Sequence, residues 1–562
     1  MLYKNPYKDR ATAPPLSGLS SIASATTPEL WPGPTTTGAI APFLAQTNPA
    51  PFGHQASFVP NSPLETAVPI AGSNNRSIFQ LHGQLSSYFP NPDGFGANEY
   101  PLPPGAKLTH VNVLHRHGAR YPTGSSSVAT FGTKVAELTA NGSANWTGDL
   151  DFINSWTYEL GAEILVARGR QELFDSGVLH YYNYGGLYNT STKIIARTPS
   201  QDRMIKSAEY FLAGFFGQQW TRNASLEVII EHTGFNNSLA GYYQCNNSNT
   251  YVSAGGSNAS LIWEDKYLAD ARERLTEQSG GYNWTISDVY NAQTLCPYET
   301  VAFGYSAWCD LFTYEEWEGF EYSIDLQFHG NNGFASPSAR GVGIGYVEEL
   351  YARLSNHVYD LPPGSTNVNV TLDSNNATFP LNQTLYFDFS HDTNILSILV
   401  AFGVKQFAQD LPATGPPKDQ QLIVSHVTPF GARVWWEIIL APHPVLPKRP
   451  AKLKAPASEY YNTTGKPTVY VHQLIGQRTL PLHRSYPECE VRDDGWCEFD
   501  TYLEILSGLL SQAQYEYSCF GDYPSPPYGT VTDGVPPNTT AKYKRDLGAF
   551  ALGHTWGDNG RI

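Results

Sequence analysis

Short apolar runs that end in polar residues recur along the chain and predict buried strands. Residues 108–114 (LTHVNVL) alternate apolar and polar side chains before an apolar end, as a short strand does. Residues 193–196 form a second run, and residues 384–389 (TLYFDF) form a third that is alternating and aromatic. Because each run leads directly into polar or charged residues, the pattern predicts three strands with reactive side chains at their carboxyl ends.

A helical pattern follows the second predicted strand. Downstream of Arg197, apolar residues recur at helical spacing in QDRMIKSAEYFLAGFFG, and Ser200 is the predicted N-cap. Arg203 would then lie in the first turn, where unpaired backbone N–H groups and the helix dipole favour an anion. We therefore expect the Arg203 side chain and the amino end of this helix to share one anion.

The third predicted strand also leads into a helix. The segment SHDTNILSILVAFG predicts a buried helix closed by Gly403, and Ser390, His391 and Asp392 occupy the turn before it. Strands that lead into helices predict an α/β protein with a mixed β-sheet flanked by helices. Sheets of this kind bind ligands beyond the carboxyl ends of their strands, which is where the polar residues lie.

Composition divides the chain into an extension, a main domain and a tail. Residues 1–84 are rich in Pro, Ser and Thr and predict a flexible extension. The main domain is predicted to comprise residues 85–525. Within it, two segments with mixed helical patterns, about 124–190 and 236–325, are predicted to form an inserted and mostly helical cap. Residues 526–562 predict an irregular tail.

The charge balance excludes some partners. The chain has 35 Lys and Arg against 51 Asp and Glu, a formal net charge of −16, whereas a nucleic-acid-binding surface needs an excess of cations. Residues 395–404, the longest apolar run, could span only about half a bilayer. We therefore expect neither a nucleic-acid partner nor a membrane span, and an anionic ligand must be bound by a local pocket.

Cysteines and glycosylation sequons favour an extracellular protein. Six cysteines can form three disulfides in fifteen possible pairings. Fourteen Asn-x-Ser/Thr sequons predict N-linked glycans on surface loops. No signal peptide is visible, because residues 1–10 are polar and no apolar core follows them. The predicted location, extracellular or in the secretory pathway, therefore depends on the cysteines and sequons.

The residues after the first predicted strand fit phosphoryl transfer. Arg116 and Arg120 supply positive charge for phosphate oxygens, and His117 between them supplies a nucleophile. A neutral imidazole attacks through one nitrogen only if the other holds its proton in a hydrogen bond, so a backbone carbonyl is expected beside His117. Gly118 is expected to provide the turn that brings these side chains together.

The motif resembles that of a known enzyme family. Residues 116–122 (RHGARYP) together with His391-Asp392 resemble the histidine acid phosphatases, particularly the fungal phytase branch. The resemblance extends from about residue 85 to about 522 and includes SWTYELGAE, CDLFTYEEW and GVGIGYVEELYARL. It implies a phosphoglycerate mutase-like α/β core and a secreted acid phosphomonoesterase that needs no cofactor and no metal.

The resemblance also implies a role for each site residue. His117 becomes the phosphohistidine and Asp392 is the proton donor, which must be protonated at the working pH. The phosphate-binding residues are Arg116, Arg120, Arg203 and His391. Arg197, by contrast, is expected in a structural ion pair.

Three disulfides follow from the same resemblance. The implied pairs are Cys245 with Cys519, Cys296 with Cys309, and Cys489 with Cys497. They would use all six thiols of the chain.

The expected substrates are phosphate monoesters, with phytate included but not exclusive. Relatives that prefer phytate carry basic residues after the RHGARYPT motif and after the CDLFT stretch. The corresponding residues of this chain are Gly124, Ser125 and Ser126 in the first place and Gln327, Phe328 and His329 in the second. Because none is Lys or Arg, a broad-specificity acid phosphatase with little phytate preference stays an alternative.

Two further alternatives belong to other classes of protein. His115 and His117 form an H-x-H pair that, with His391 and Asp392, could bind a metal in a metal-dependent hydrolase. The arginines around His117 oppose a bound cation. A catalytically inactive secreted binding glycoprotein would lack a catalytic residue, and none is missing.

Overall fold

The structure is a computed structural model that describes residues 77–189, 192–358, 364–451 and 454–537. Most of the predicted extension (residues 1–76) and of the predicted tail (residues 538–562) therefore lies outside the described residues. Ile78 and His82, which belong to the predicted extension, are buried.

A mixed sheet forms the centre of the described chain. Its strands are β1 Lys107–Arg116, β3 Ile194–Pro199, β4 Ala224–Ile229, β6 Leu385–Ser390, β7 Arg433–Ala441, β8 Thr468–Ile475, β9 Arg478–Thr479 and β10 Cys497–Glu498. A separate two-stranded sheet is formed by β2 Asn145–Trp146 and β5 Ser279–Gly280. The strand order is β10-β8-β7-β1-β6-β3-β4, with β9 beside β8. Strands β1, β6, β3 and β4 run parallel, whereas β7, β8 and β10 are antiparallel to their neighbours. The predicted α/β class with a mixed sheet is confirmed.

Helices cover both faces of this sheet. Their bounds are α1 Ser127–Ala140, α2 Ala167–Tyr184, α3 Asp202–Phe216, α4 Gly255–Tyr267, α5 Ala269–Glu277, α6 Ile286–Phe303, α7 Tyr314–Asn331, α8 Ala339–Ser355, α9 Val370–Asp373, α10 Asp392–Ala401, α11 Val424–Val427, α12 Phe499–Gln512 and α13 Tyr515–Phe520. On one face Phe211 of α3 packs on Phe387 of β6 with ring centroids 4.9 Å apart. On the other, Tyr346 of α8 packs on Trp436 of β7. Side chains alternate across β1, so each face buries its own apolar set.

Helix α2 lies within the segment predicted for the cap, and it packs on the sheet. The sequence pattern assigns residues 124–190 to the cap, but Leu173 and Tyr184 of α2 are buried among sheet residues such as Val111 and Phe387. This helix therefore flanks the sheet.

Arg197 lies in the structural ion pair expected for it. Its Nε donates to Asp388 at 2.7 Å, and its Nη2 donates to Glu349, also at 2.7 Å. Burial alone would raise the pKa of Asp388, but Arg197 and Arg353 outweigh it and hold that pKa far below its ordinary value. The group therefore stays ionised, and it fixes β3 and β6 against α8.

The three predicted disulfides are all formed. Cys245 is bonded to Cys519, Cys296 to Cys309 and Cys489 to Cys497. The first joins residues 274 positions apart and fastens α13 to the segment after β4.

Among the described helices, none combines the length and the apolar character needed to cross a membrane.

Candidate active site

The four parallel strands end at one edge of the sheet, and each delivers a polar residue there. His117 follows β1, His391 follows β6, Arg203 lies in the first turn of the helix after β3, and Glu231 follows β4. Parallel strands share the edge at which they end, so these side chains converge although they are far apart in sequence. The rings of His117 and His391 lie 5.6 Å apart.

His117 is oriented as a nucleophile. Its Nδ1 lies 2.9 Å from the carbonyl oxygen of Gly118, which can only accept a hydrogen, so a neutral ring keeps its lone pair on Nε2. This is the expected backbone partner. Burial lowers the pKa of His117 well below its ordinary value, and three nearby arginines and His391 lower it further. The lowered pKa of His117 favours the neutral imidazole over the protonated one.

Gly118 follows the end of the strand at Arg116, and it is needed for the close packing of the motif backbone. A Cβ on Gly118 would lie 2.2 Å from the carbonyl oxygen of Gly169, and a Cβ on Gly169 would lie 2.0 Å from that of Ala119. Its φ is not in the left-handed region. The expectation of a special turn at Gly118 is therefore replaced by a steric requirement: the first turn of α2 contacts the motif backbone directly.

Arg116 is fully buried beneath the site. Its Nη1 donates to the carbonyl oxygens of Gln84 and of Thr428, the latter at 2.8 Å, and its Nη2 lies 2.6 Å from Asp392. The guanidinium stacks 4.6 Å from the ring centroid of Phe430. Burial lowers the pKa of Arg116 to about 10, so it remains a cation throughout the acid range.

Arg203 lies in the first turn of α3, as predicted, but the cap of this helix differs from the prediction. The N-cap is Gln201, whereas the hydroxyl of Ser200 accepts a hydrogen bond from the backbone N–H of Glu231 at 2.9 Å. Ser200 therefore joins β3 to β4. The Nη1 of Arg203 donates to Glu163 Oε2 at 2.8 Å.

Arg120 is anchored by the motif itself. Its Nη1 donates to the carbonyl of Tyr121 at 2.8 Å, and its backbone forms an isolated bridge with Leu165. Its charge lowers the pKa values of both His117 and Asp392, so it acts on the same centre. The four predicted phosphate-binding residues are thus gathered around His117.

Glu231 is a site residue that sequence reasoning missed. Its Oε2 lies 3.1 Å from His391 Nε2, and its Oε1 accepts a hydrogen bond from the Tyr242 hydroxyl at 2.7 Å. Burial alone would raise the pKa of Glu231, but His391 and its other hydrogen-bond donors lower it below its ordinary value. The run LEVII before it is a strand signal that could have identified it, because it ends in a charged residue like the others.

Asp392 begins α10 and faces Arg116. Its Oδ1 accepts the backbone N–H of Thr393 at 2.9 Å, while Oδ2 pairs with Arg116. Burial would raise its pKa, but Arg116, Arg120 and the Thr393 N–H hold the pKa of Asp392 below its ordinary value. The carboxyl lies at the centre of the cationic group, where any change in local charge alters its protonation.

The H-x-H pair of the metal-hydrolase alternative is not assembled. His115 Nδ1 lies 2.7 Å from the Arg116 carbonyl, its Nε2 lies 2.8 Å from Ser176 Oγ, and its ring packs against Phe211 and Phe389. The strand ends at Arg116, so His115 faces α3 while His117 lies beyond the sheet edge. Among the described residues, no three His, Cys, Asp or Glu side chains are grouped as ligands of one metal ion.

The two segments in which phytate-preferring relatives carry basic residues differ in exposure: residues 327–329 are buried, whereas Gly124 is exposed. Gln327, Phe328 and His329 of α7 are buried, and Gln327 Nε2 donates to Ser260 and Tyr290. They therefore contribute to the packing among α4, α6 and α7. On the other segment Gly124 is exposed, and its N–H donates to Glu163 Oε1 at 2.9 Å.

Comparisons with known sequences agree with this geometry. The sequence model of the histidine phosphatase superfamily (branch 2) matches residues 107–444. Phytase A of Emericella nidulans is 32% identical over 464 residues, which cover 79% of this chain and 91% of that protein. Phytase A of Aspergillus fumigatus is 32% identical over 457 residues, covering 78% of this chain and 90% of that protein.

A solved structure supports the same fold. The crystal structure of the phytase from D. castellii matches with a TM-score of 0.60 at 23% identity, covering 80% of this chain and 89% of that one. At this identity the match concerns the fold alone.

Proposed function

Because the chain belongs to the histidine phosphatase superfamily (branch 2), we propose that it is an acid phosphomonoesterase that hydrolyses phytate and other phosphate monoesters through a phosphohistidine. The observation that carries this proposal is the orientation of the His117 ring. Its Nδ1 is hydrogen-bonded to the Gly118 carbonyl, which leaves the Nε2 lone pair of the neutral ring free, and three arginines surround it. The 32% identity to fungal Phytase A supports phytate as a substrate.

The first half of the reaction forms a bond between His117 and phosphorus. Arg116, Arg120, Arg203 and His391 hold the non-bridging phosphate oxygens, and His117 Nε2 attacks phosphorus from the side opposite the ester oxygen. As the P–O ester bond breaks, Asp392 transfers its proton to the leaving oxygen and becomes a carboxylate. The alcohol leaves, and the phosphoryl group remains on a positively charged ring.

The second half restores the enzyme. Asp392, now a carboxylate, accepts a proton from water as the water oxygen attacks phosphorus and the P–N bond breaks. Inorganic phosphate leaves, His117 is again neutral with its proton on Nδ1, and Asp392 is again protonated. Thus one carboxyl serves as acid and then as base, and the reaction needs no further reagent.

The charges at the site imply an acid optimum. A phosphate bound at Arg116 brings negative charge beside Asp392, which raises the pKa of that carboxyl from its lowered value and favours the protonated donor. Activity then falls as pH rises and the donor loses its proton. On the acid side, the lowered pKa of His117 keeps the nucleophile neutral below the range of an ordinary histidine.

A hydrolysis assay over a range of pH tests the proposed function. We expect the purified protein to release phosphate from phytate and from para-nitrophenyl phosphate, with the maximum of kcat/KM below about pH 6. Excess EDTA should leave both rates unchanged. Activity lost in EDTA and restored by zinc would favour the metal-dependent alternative, and the absence of hydrolysis of either ester would favour an inactive binding protein.

Export and N-glycosylation form part of the proposal. Sequon asparagines including Asn141, Asn145, Asn376 and Asn462 are exposed and therefore accessible to glycan transfer. After expression in a glycosylating eukaryotic host, we expect the protein in the medium at a mass above the 61.9 kDa of the polypeptide. Peptide N-glycosidase should remove the excess mass. Intracellular protein with no such excess would contradict this part of the proposal.

A further inference from the structure

Three basic side chains of the candidate site each have a carboxylate partner. The pairs are Arg116–Asp392 at 2.6 Å, His391–Glu231 at 3.1 Å and Arg203–Glu163 at 2.8 Å. The three carboxylate side chains differ in exposure: Asp392 is 15% exposed, Glu231 0% and Glu163 24%. Glu163 is thus the most solvent-accessible of the three, and the reaction scheme gives it no role.

The backbone at Glu163 is held against the motif. Two backbone hydrogen bonds join the segment that contains Glu163 to the motif segment. Tyr121 N–H donates to the Ile164 carbonyl and Val166 N–H donates to the Ala119 carbonyl, each at 3.1 Å. Glu163 N–H donates to the carbonyl of Pro122 at 2.9 Å. Glu163 itself has a φ of 69°, in the left-handed region that is strained for a non-glycine residue. A strained residue next to the candidate active site suggests a functional constraint.

The Glu163 carboxylate is fixed at both oxygens. Oε1 accepts the N–H of Gly124 at 2.9 Å and Oε2 accepts Nη1 of Arg203 at 2.8 Å. The negative charge is therefore tied to the motif segment on one side and to α3 on the other. The hydrogen bond from Gly124 thus helps to hold the carboxylate beside Arg203.

A fixed carboxylate on a phosphate-binding arginine repels other anions near it. The repulsion increases with the charge of the ligand, and it is greatest for an ester whose remaining substituents are also phosphates. We propose that Glu163 is a specificity-determining residue that lowers the preference of this site for polyphosphorylated esters relative to singly phosphorylated ones. This inference rests on the proposed function.

Neutral substitutions at Glu163 test the inference. Glu163→Gln removes the charge and keeps the side-chain length, whereas Glu163→Asn removes the charge with a residue type that tolerates positive φ. The matched control is Glu209→Gln, because Glu209 lies on the same helix as Arg203 but pairs with Lys206 at 2.7 Å. For each protein, kcat/KM is measured for phytate and para-nitrophenyl phosphate at about pH 5.5, within the acid range proposed for the activity. Thermal unfolding identifies variants that fold.

The ratio of the two kcat/KM values decides the outcome. We expect the ratio of phytate to aryl phosphate to rise about five- to tenfold in both Glu163 variants at low ionic strength, and by less in high salt, where charges are screened. It should not change in Glu209→Gln. A ratio that stays constant or falls in the folded Glu163 variants would overturn the inference while leaving the proposed function intact. A wild-type protein that hydrolyses neither ester would overturn the proposed function itself.

Discussion

His117→Ala is expected to lower kcat for phytate and for para-nitrophenyl phosphate by at least about 10⁴-fold. The substitution removes the group that is proposed to form a bond to phosphorus, while the arginines around it remain to bind the substrate. We therefore expect the loss in kcat, with a much smaller change in KM. Phosphate release in the steady state measures both constants.

Trapping of the intermediate gives an independent test of the same residue. Wild-type protein quenched without acid during turnover should carry one phosphoryl group on His117, found by mass spectrometry of its peptides, and His117→Ala should carry none. His110→Ala is the matched control, because His110 is an exposed histidine of the same strand. Phosphate on another residue, or near-normal turnover by His117→Ala, would contradict the covalent mechanism.

Asp392→Asn is expected to slow phytate hydrolysis by about 10²- to 10³-fold in kcat/KM. An alkoxide is a poor leaving group without a proton, and asparagine cannot supply one. For para-nitrophenyl phosphate the loss in kcat/KM should be much smaller, since nitrophenolate leaves without being protonated. Asparagine keeps an oxygen that can accept from Arg116, so the effect on structure is minimised.

The second step should also be slower in Asp392→Asn. Without a carboxylate to accept the proton of water, the phosphohistidine is hydrolysed slowly, and stopped-flow mixing with the aryl phosphate should show a burst of nitrophenol followed by slow turnover. The two substrates provide the internal control. Equal losses in kcat/KM for both would mean that Asp392 acts only by orienting Arg116, and proton donation would have to be assigned to another group.

Charge compensation explains how such a site can be buried. Isolated buried cations are costly, but here carboxylates and backbone carbonyls accept from the guanidinium groups. Arg116 donates to two carbonyls and forms an ion pair with Asp392. In the proposed reaction a phosphate therefore enters a site whose donors are already in position, which limits the reorganisation required.

Much of the site was predictable because its chemistry is local in sequence. Arg116, His117 and Arg120 are contiguous with a strand, and Asp392 directly follows another. The α/β class followed from strand and helix periodicity for the same reason. Arg203 was predicted to lie in a first helical turn because the apolar spacing of α3 extends far enough to define its start.

Contacts between distant segments were not predictable in this way. Glu163 lies in a segment without regular secondary structure, and neither its partner Arg203 nor its left-handed backbone is signalled by the residues around it. The Thr428 carbonyl and the Phe430 ring reach Arg116 from 312 and 314 positions away, because β7 begins beside the end of β1. Gln201 is the N-cap in place of Ser200, whose hydroxyl accepts from the backbone N–H of Glu231 just after β4.

The sequence by itself determined which residue types carry the chemistry and at which strand ends they occur, since periodicity and motif spacing are properties of neighbouring residues. Only the tertiary structure decided which carboxylate faces which cation, and on which side of the sheet edge each histidine lies. The physical reason is that strand order and the packing of segments far apart in sequence determine those pairings. The same pairings set the pKa values of His117 and Asp392, on which the proposed reaction depends.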